Sequence, residues 1–174
     1  MNNLTAQIKS PLEVTWQDYP DDNSLAVICY FLGCSNNCEG CHNPLFQLRT
    51  YSNAFTFTIK QLYDELFKVC YENKTRKVVL SGGDVFFHKN IEFVKTFVKL
   101  YGRYFSFCLY TGSSIKEVKK NGITGFKFIK VGKYEESLKQ QSIKTDEYFQ
   151  LASSNQEIYD SKFNLLTKNG RMVF

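Results

Sequence analysis

The sequence predicts an α/β fold, namely a partial, open β/α barrel whose core strands run parallel. Short, nearly continuous apolar runs alternate with segments in which apolar residues recur every three or four positions, a rhythm typical of buried parallel strands joined by helices. Polar, glycine-containing segments follow the apolar runs instead of interrupting them. A length of 174 residues with 43% hydrophobic content suits a single domain over residues 1–174.

The first predicted strand, Leu25 to Leu32, is apolar at almost every position, as expected of a strand buried on both faces. After a long connection, a helix is predicted to begin at Thr58, which forms a possible capping box with Gln61. Its apolar residues repeat at helical spacing, which indicates a face packed in the core. They are Ile59, Leu62, Tyr63, Leu66, Phe67 and Cys70.

The alternation continues through the rest of the chain. A capping box of Ser114 and Glu117 predicts a short helix that Gly122 ends. The other predicted elements are a strand at Lys77 to Leu80, a helix at about Ile91 to Tyr101, and strands at Phe105 to Tyr110 and Phe126 to Val131. A fifth strand is expected at Tyr148 to Leu151, and a hairpin at Asn169 and Gly170.

Charge and cysteine content narrow the class of protein. The net charge of +5 arises from scattered lysines without a long basic block, which argues against a nucleic-acid role. No apolar run approaches the length of a membrane span, and the N-terminus lacks a basic segment followed by a long apolar one. We therefore expect a cytoplasmic protein whose six cysteines are reduced and serve metal or redox chemistry.

The segment CSNNCEGCHNP places Cys34, Cys38 and Cys41 in a C-x3-C-x2-C loop directly after the first predicted strand. Three thiolates at this spacing suit three corners of a [4Fe-4S] cluster and leave one iron open for chemistry. The alternatives are structural zinc, which would have to recruit His42 or His88 as a fourth ligand, and unligated thiols. The remaining cysteines, Cys29, Cys70 and Cys108, lie in apolar segments and are expected in the core.

Several other polar segments follow predicted strands. Because the C-terminal ends of parallel strands share one edge of the sheet, these loops are expected to converge with the cysteine loop on one site. They are SGGD at 81–84, TGSS at 111–114, VGKY at 131–134 and SSNQ at 153–156. The two glycines of SGGD would let the backbone approach a ligand, and Asp84 would accept from a ligand amine or cap the next segment. Alone, SGGD is equally typical of a plain strand-to-helix turn.

Together these motifs resemble the radical S-adenosylmethionine (SAM) enzymes, in which a C-x3-C-x2-C loop follows the first strand and a Gly-Gly-Glu motif, here GGD, follows the second. The segments CSNNCEGCHNP, LSGGDVFF, YTG, FIKVGKY and SSNQEIYD are similar, more narrowly, to the activating protein of anaerobic ribonucleotide reductase. This similarity runs from about residue 24 to about residue 160. Gly40, the HNP segment and the SSNQ segment point to the activase group within the superfamily.

The resemblance implies a set of site residues. Cys34, Cys38 and Cys41 would ligate the [4Fe-4S] cluster, and the open iron would be chelated by the amino and carboxylate groups of SAM. Gly82, Gly83 and Asp84 would contact the methionine amino group, and the backbone around Gly40 and His42 would lie near the adenine. Ser81 and Thr111 are the expected hydroxyl contacts, and Lys130 would neutralise the SAM carboxylate.

The resemblance also implies an activity and partners. A one-electron donor such as a flavodoxin would reduce the cluster, SAM would be cleaved to methionine and a 5′-deoxyadenosyl radical, and the radical would take a Cα hydrogen from a glycine of the large reductase subunit. No side chain of this chain need act as acid or base. The alternatives are another small radical SAM enzyme, either a different activase or a small-molecule synthase, and a non-catalytic zinc-binding module.

Three further positions, Phe128, Asn155 and Gln156, bear on this resemblance. Related activases often carry an acidic residue two positions before the lysine that Lys130 matches, and this chain has Phe128 there. Asn155 and Gln156 match the closing motif of the family, although a strand-end turn held by side-chain amides explains them equally well.

Overall fold

A computed structural model describes residues 4–21, 25–88, 90–141 and 149–173 of the protein. The strands are β1 (Thr5–Lys9), β2 (Glu13–Thr15), β3 (Ala26–Phe31), β4 (Ala54–Thr58), β5 (Lys77–Gly82), β6 (Ser106–Tyr110), β7 (Phe128–Val131), β8 (Glu157–Asp160), β9 (Thr167–Lys168) and β10 (Arg171–Met172). The helices are α1 (Ile59–Glu72), α2 (Asn90–Tyr101) and α3 (Ile115–Lys120). Short 3-10 turns lie at Pro44–Gln47 and Glu136–Leu138.

One open, mixed sheet organises the described residues. Its order is β4-β1-β3-β5-β6-β7-β8, with β2 paired to β3. The strands β3, β5, β6 and β7 run parallel, and the flanking strands are antiparallel. The predicted α/β class, an open barrel with parallel strands, is confirmed. The two ends of the sheet, β4 and β8, do not pair with each other, so the barrel is partial.

The two faces of the sheet bury different side chains because successive residues of a strand point to opposite sides. On the outer face, α1, α2 and α3 cover the larger cluster, which includes Phe31, Leu80 and Leu109. The inner face carries a smaller cluster, and its polar end forms the site described below. None of the helices in the described ranges is long and apolar enough to cross a membrane.

Both predicted capping boxes are present. The Thr58 side chain accepts from the backbone of Gln61, whose own side chain accepts from the Thr58 backbone, and Ser114 and Glu117 make the same reciprocal pair. Each cap satisfies donors that the first helical turn leaves unpaired and contributes about 1 kcal/mol. The hairpin at Asn169 and Gly170 also forms, between β9 and β10.

The prediction of a fifth strand at Tyr148 to Leu151 is wrong in the part that the structure describes. Tyr148 lies outside the described residues, and Gln150 makes only an isolated bridge to Arg171. Leu151 is buried against the inner face and donates its backbone N–H to Gly170, so this segment packs on the hairpin and not in the sheet. The strand that follows β7 in the sheet is β8, which is antiparallel.

Candidate active site

A cavity of about 520 Å³ opens at the C-terminal edge of the parallel strands. Most of the residues predicted from the sequence line it together: Cys34, Cys38, Cys41, His42, Ser81, Gly82, Gly83, Thr111 and Lys130. Gly40 and Asp84 are not among the lining residues. The predicted convergence of the loops is therefore present, because the turns after β3, β5, β6 and β7 all contribute to one cavity.

The cysteine loop is shaped by two residues in the left-handed region. Asn37 has φ 48° and Gly40 has φ 66°, and the backbone N–H of Cys41 donates to the carbonyl of Cys38. The loop therefore makes a tight turn at residues 39–40, and its three thiols are half-buried and free. Burial raises the pKa of the Cys34 thiol, although the backbone N–H of Asn36 donates to its sulfur at 3.4 Å.

The donor set fits a [4Fe-4S] cluster better than a single zinc ion. Within the described ranges, no group of three or more His, Cys, Asp or Glu side chains is arranged to hold one metal ion. A tetrahedral zinc site needs its ligands around one point, whereas the cysteines of a cluster each bind a different iron and stand further apart. Three half-buried thiols line one cavity, a donor set that suits the three protein ligands of a cluster with one open iron.

The two glycines of SGGD allow the backbone to approach another part of the protein. A Cβ atom at Gly82 would lie 2.4 Å from the backbone nitrogen of Phe31, and one at Gly83 would lie 2.3 Å from the carbonyl oxygen of Gly33. The Gly83 N–H donates to the Phe31 carbonyl at 2.7 Å. These close backbone contacts pack the cysteine loop against the end of β5. Both glycines also line the cavity, where their backbone is accessible to a ligand.

The Asp84 carboxylate makes its hydrogen bonds to other groups of the protein. Its side chain is buried, and its Oδ1 accepts from Thr111 Oγ1 and the Phe86 N–H, at 2.7 and 2.9 Å. Its Oδ2 accepts from Asn36 Nδ2 and the Gly112 N–H, at 2.7 and 3.1 Å. Four protein donors therefore occupy the carboxylate, and this geometry does not favour the predicted direct contact between Asp84 and a methionine amino group.

Lys130 places a cation inside the cavity. Burial lowers its pKa to about 8, against the opposing effect of the negative charge on Asp84 and nearby thiols. Its Nζ donates to the carbonyl of Gly132 at 3.3 Å and lies 5.7 Å from the centre of the Tyr110 ring. A carboxylate bound nearby would stabilise the charged form of Lys130.

Aromatic side chains pack against each other in the inner core. Tyr19, on the segment that follows β2, packs edge-on against Phe128 with ring centres 5.6 Å apart, and its hydroxyl lies 2.7 Å from Ser106 Oγ. Phe128 belongs to the inner core and does not line the cavity. Phe128 is therefore a packing position in this protein.

Gly40 faces the loop after β7. A Cβ atom there would lie 2.1 Å from Glu136 Oε2, and Tyr134, whose hydroxyl donates to Glu136, packs its ring 5.0 Å from that of His42. The loop after β7 therefore lies directly against the cysteine turn at Gly40. Proximity of Gly40 and His42 to an adenine stays a prediction.

The SSNQ segment holds the VGKY loop. Asn155 Nδ2 donates to the Lys133 carbonyl at 2.9 Å, and Gln156 Nε2 donates to the Gly132 carbonyl at 3.2 Å. Glu157 pairs with Val131, so the start of the antiparallel β8 lies at the same sheet edge as the ends of the parallel strands. The alternative of a turn held by side-chain amides describes these residues well, and Gln156 also lines the cavity.

Several lining residues were not predicted from the sequence. They are Gln17, Asp18, Tyr30, Asn36 and Tyr110, among others. Tyr30 and Tyr110 stand two positions after Ile28 and Cys108, so the period of two along β3 and β6 was the available signal. Asp18 carried no such signal, because only the fold brings its carbonyl within 2.7 Å of the Tyr110 hydroxyl.

Comparison with known proteins agrees with this site. The family model described as a 4Fe-4S single cluster domain matches residues 24–159. The chain belongs to this family. Its cofactor is therefore a [4Fe-4S] cluster, and the assignment of Cys34, Cys38 and Cys41 as the ligands of that cluster stays a prediction. The family match agrees with the radical SAM superfamily and with the SAM cofactor predicted from the sequence.

No curated protein matches the chain. Among solved structures, the chain is similar to QueE from Escherichia coli, with a TM-score of 0.44 and 16% sequence identity. The similarity covers 63% of this chain and 53% of that one, so the matched region is about half the length of the QueE chain.

Proposed function

We propose that this protein of the 4Fe-4S single cluster family is a glycyl-radical enzyme activase that acts on an anaerobic ribonucleotide reductase. The proposal rests on the cysteine loop, on the cavity beside it, and on the similarity of the motifs CSNNCEGCHNP and SSNQEIYD to activases of this kind. The substrate would be a glycine residue in a loop of the large reductase subunit.

The cavity offers suitable groups for SAM next to the cysteine loop. Gly82, Gly83 and Ser81 line it, and Lys130 supplies a cation for the carboxylate. Thr111 lines it as well, but its hydroxyl already donates to Asp84 and accepts from the Ser113 N–H. When bound, the cluster and SAM supply a 5′-deoxyadenosyl radical, formed with one electron from an external donor as methionine leaves. The task of the protein is to orient the reactive carbon toward the glycine Cα hydrogen and to exclude water.

The size of the cavity is the observation that favours a macromolecular substrate. Binding cavities for a single cofactor or drug-sized molecule are typically about 300 to 1,000 Å³, and this one is about 520 Å³. SAM would fill much of this volume and leave little room for a second small molecule. A peptide loop that enters from the open mouth needs no such room, which favours the activase over a small-molecule synthase.

The expected surroundings follow from this chemistry. The donor of the electron is proposed to be a small carrier such as a flavodoxin, which suits the mildly basic chain. A labile cluster and six free cysteines favour a reducing, cytoplasmic location. Neither a membrane nor a nucleic acid has a part in the proposal.

The decisive experiment is to incubate the anaerobically reconstituted protein with SAM, a reductant and the cognate reductase. We expect a glycyl-radical doublet by electron paramagnetic resonance, and we expect the doublet to vanish when the C-terminal glycine of the reductase is replaced by alanine. SAM cleavage without a doublet, together with consumption of a small molecule, would support the synthase. A colourless protein that binds zinc and never acquires absorption near ~400 nm, a region typical of iron–sulfur clusters, would support the zinc module.

A further inference from the structure

Asp84 lies at the meeting point of three loops. Asn36 belongs to the cysteine loop, and Thr111 and Gly112 belong to the turn after β6. Donors from both loops reach the carboxylate of Asp84, at 2.7 Å from Asn36 Nδ2, 2.7 Å from Thr111 Oγ1 and 3.1 Å from the Gly112 nitrogen. Hydrogen bonds to an ionised acceptor are about twice as strong as neutral ones. The bonds to the Asp84 carboxylate therefore hold the cysteine loop and the turn after β6 together.

Asn36 connects Asp84 to the cysteines that are proposed to bind the cluster. It stands between Cys34 and Cys38 in the chain, and its backbone N–H donates to Cys34 Sγ at 3.4 Å. A Cβ atom at Gly112 would lie 2.3 Å from Asn36 Nδ2, so a larger residue there would force the Asn36 side chain to move. The side chain and the backbone of Asn36 thus fix the same short turn from two sides.

We propose that Asp84 is a positioning residue that acts through Asn36 on the cysteine loop, and that it does not contact SAM. The hydrogen bond between Asp84 and Asn36 holds Cys34 and Cys38 at the spacing that the cluster requires. Contact with the methionine group falls to the backbone of Gly82 and Gly83, which line the cavity, whereas Asp84 does not. The inference rests on the proposed cluster-and-SAM chemistry, but not on the identity of the macromolecular substrate.

The test measures how long the cluster survives in the presence of an iron chelator. Asn36→Ala and Asp84→Asn should each shorten its half-life by roughly 10- to 100-fold, the usual effect of removing a partner of a metal ligand. Because both variants break the same hydrogen bond between Asp84 and Asn36, the double variant should be no worse than the poorer single one. Ser35→Ala is the matched control, since Ser35 is exposed in the same loop, and it should retain the wild-type half-life.

A second measurement separates positioning from ligand binding. Isothermal titration with SAM, scaled to the cluster content of each sample, should give a dissociation constant within about twofold of wild type for Asp84→Asn, since a group that makes no contact contributes no differential affinity. A wild-type half-life with much weaker SAM binding would show that Asp84 contacts SAM and would overturn the proposal. A wild-type half-life for Asn36→Ala would overturn it as well.

Exchanging the two side chains gives a rescue test. Asn36→Asp should be worse than Asn36→Ala because it sets two carboxylates face to face, and adding Asp84→Asn to it should recover part of the half-life by restoring one donor and one acceptor. If the cluster half-life does not recover, the direct hydrogen bond between Asp84 and Asn36 is not what stabilises the cluster. Circular dichroism of the cluster-free variants checks that they fold, and Asn36→Ala decides the question if the Asp84 variants do not. Failure of the glycyl-radical assay alone would leave these results unaffected.

Discussion

Gly83 packs so closely against Gly33 that a Cβ atom at residue 83 would lie 2.3 Å from the Gly33 carbonyl oxygen. The neighbouring atoms belong to the backbone and cannot rotate away, unlike the end of a flexible side chain. The loop after β5 and the loop that carries the cysteines therefore share one backbone contact, and the glycine pair is required by the protein before any ligand binds.

Gly83→Ala should therefore damage both stability and the cluster. We expect a loss of about 3 kcal/mol or more in the free energy of unfolding, at the upper end of overpacking effects, together with a lower iron content. Gly122→Ala is the matched control, because its φ is 64° but no atom lies within 4 Å of the new Cβ. The control should cost about 1 kcal/mol from backbone strain alone and should bind iron normally. Denaturant unfolding and iron analysis measure both effects, and equal losses in the two variants would contradict the steric argument.

Cys38→Ala should leave less iron than the full cluster and abolish SAM cleavage, because each cluster iron held by this loop depends on a thiolate. Cys70→Ser tests whether the effect is specific. Cys70 lies on the buried face of α1 in the outer core, so the variant should lose roughly 1 to 3 kcal/mol of stability and keep its iron. Full iron content and 5′-deoxyadenosine formation in Cys38→Ala would refute the ligand assignment.

Alkylation of the cluster-free protein should divide the cysteines into two groups. Cys34, Cys38 and Cys41 are half-buried at the cavity, whereas Cys29, Cys70 and Cys108 are buried, and burial raises the pKa of all three buried thiols. The thiolate is the reactive form, so iodoacetamide should modify only the cavity group until denaturant is added. Mass spectrometry of digested protein gives the answer, and fast modification of Cys108 in the native state would contradict its position in the inner core.

Lys130→Met should stabilise the cluster-free protein near neutral pH and weaken SAM binding. The pKa of Lys130 falls from 10.5 to about 8 on folding, so the folded state binds fewer protons between these values and wild-type stability rises with pH across that window. Below about pH 8 the buried charge lowers stability in full, and methionine avoids this cost. The advantage of the variant should therefore be largest at about pH 7 and fade toward about pH 10. Thermal unfolding of both proteins at several pH values tests this, and an advantage that does not change with pH would contradict it.

Phe128→Asp should not create a better SAM site. The side chain lies in the inner core against Tyr19 and not in the cavity, so the variant buries a carboxylate without a partner and should lose more than about 3 kcal/mol of stability. Phe128→Leu keeps an apolar side chain and should lose about 1 to 2 kcal/mol while binding SAM as wild type does. Denaturant unfolding and anaerobic titration measure both, and tighter SAM binding by Phe128→Asp would contradict this assignment.

The sequence by itself determined the parallel strands, the helices with their capping boxes and the cysteine loop, because each depends on neighbouring residues. The order of apolar runs placed β3, β5, β6 and β7, and the polar segments after them predicted a shared edge. The spacing of Cys34, Cys38 and Cys41 predicted the cluster. Each of these features is set by residues only a few positions apart, so a single sequence reveals it.

Only the tertiary structure decided the roles of Asp84, Phe128 and the segment at residues 149–151. Asp84 has donors from loops far apart in sequence, Phe128 meets Tyr19 from another part of the chain, and Leu151 pairs with the terminal hairpin. Whether a carboxylate faces a ligand or the protein depends on which donors the fold brings to it, and those donors are not its neighbours in the chain. Hydrogen bonds and burial of this kind are fixed only when the strands are in register.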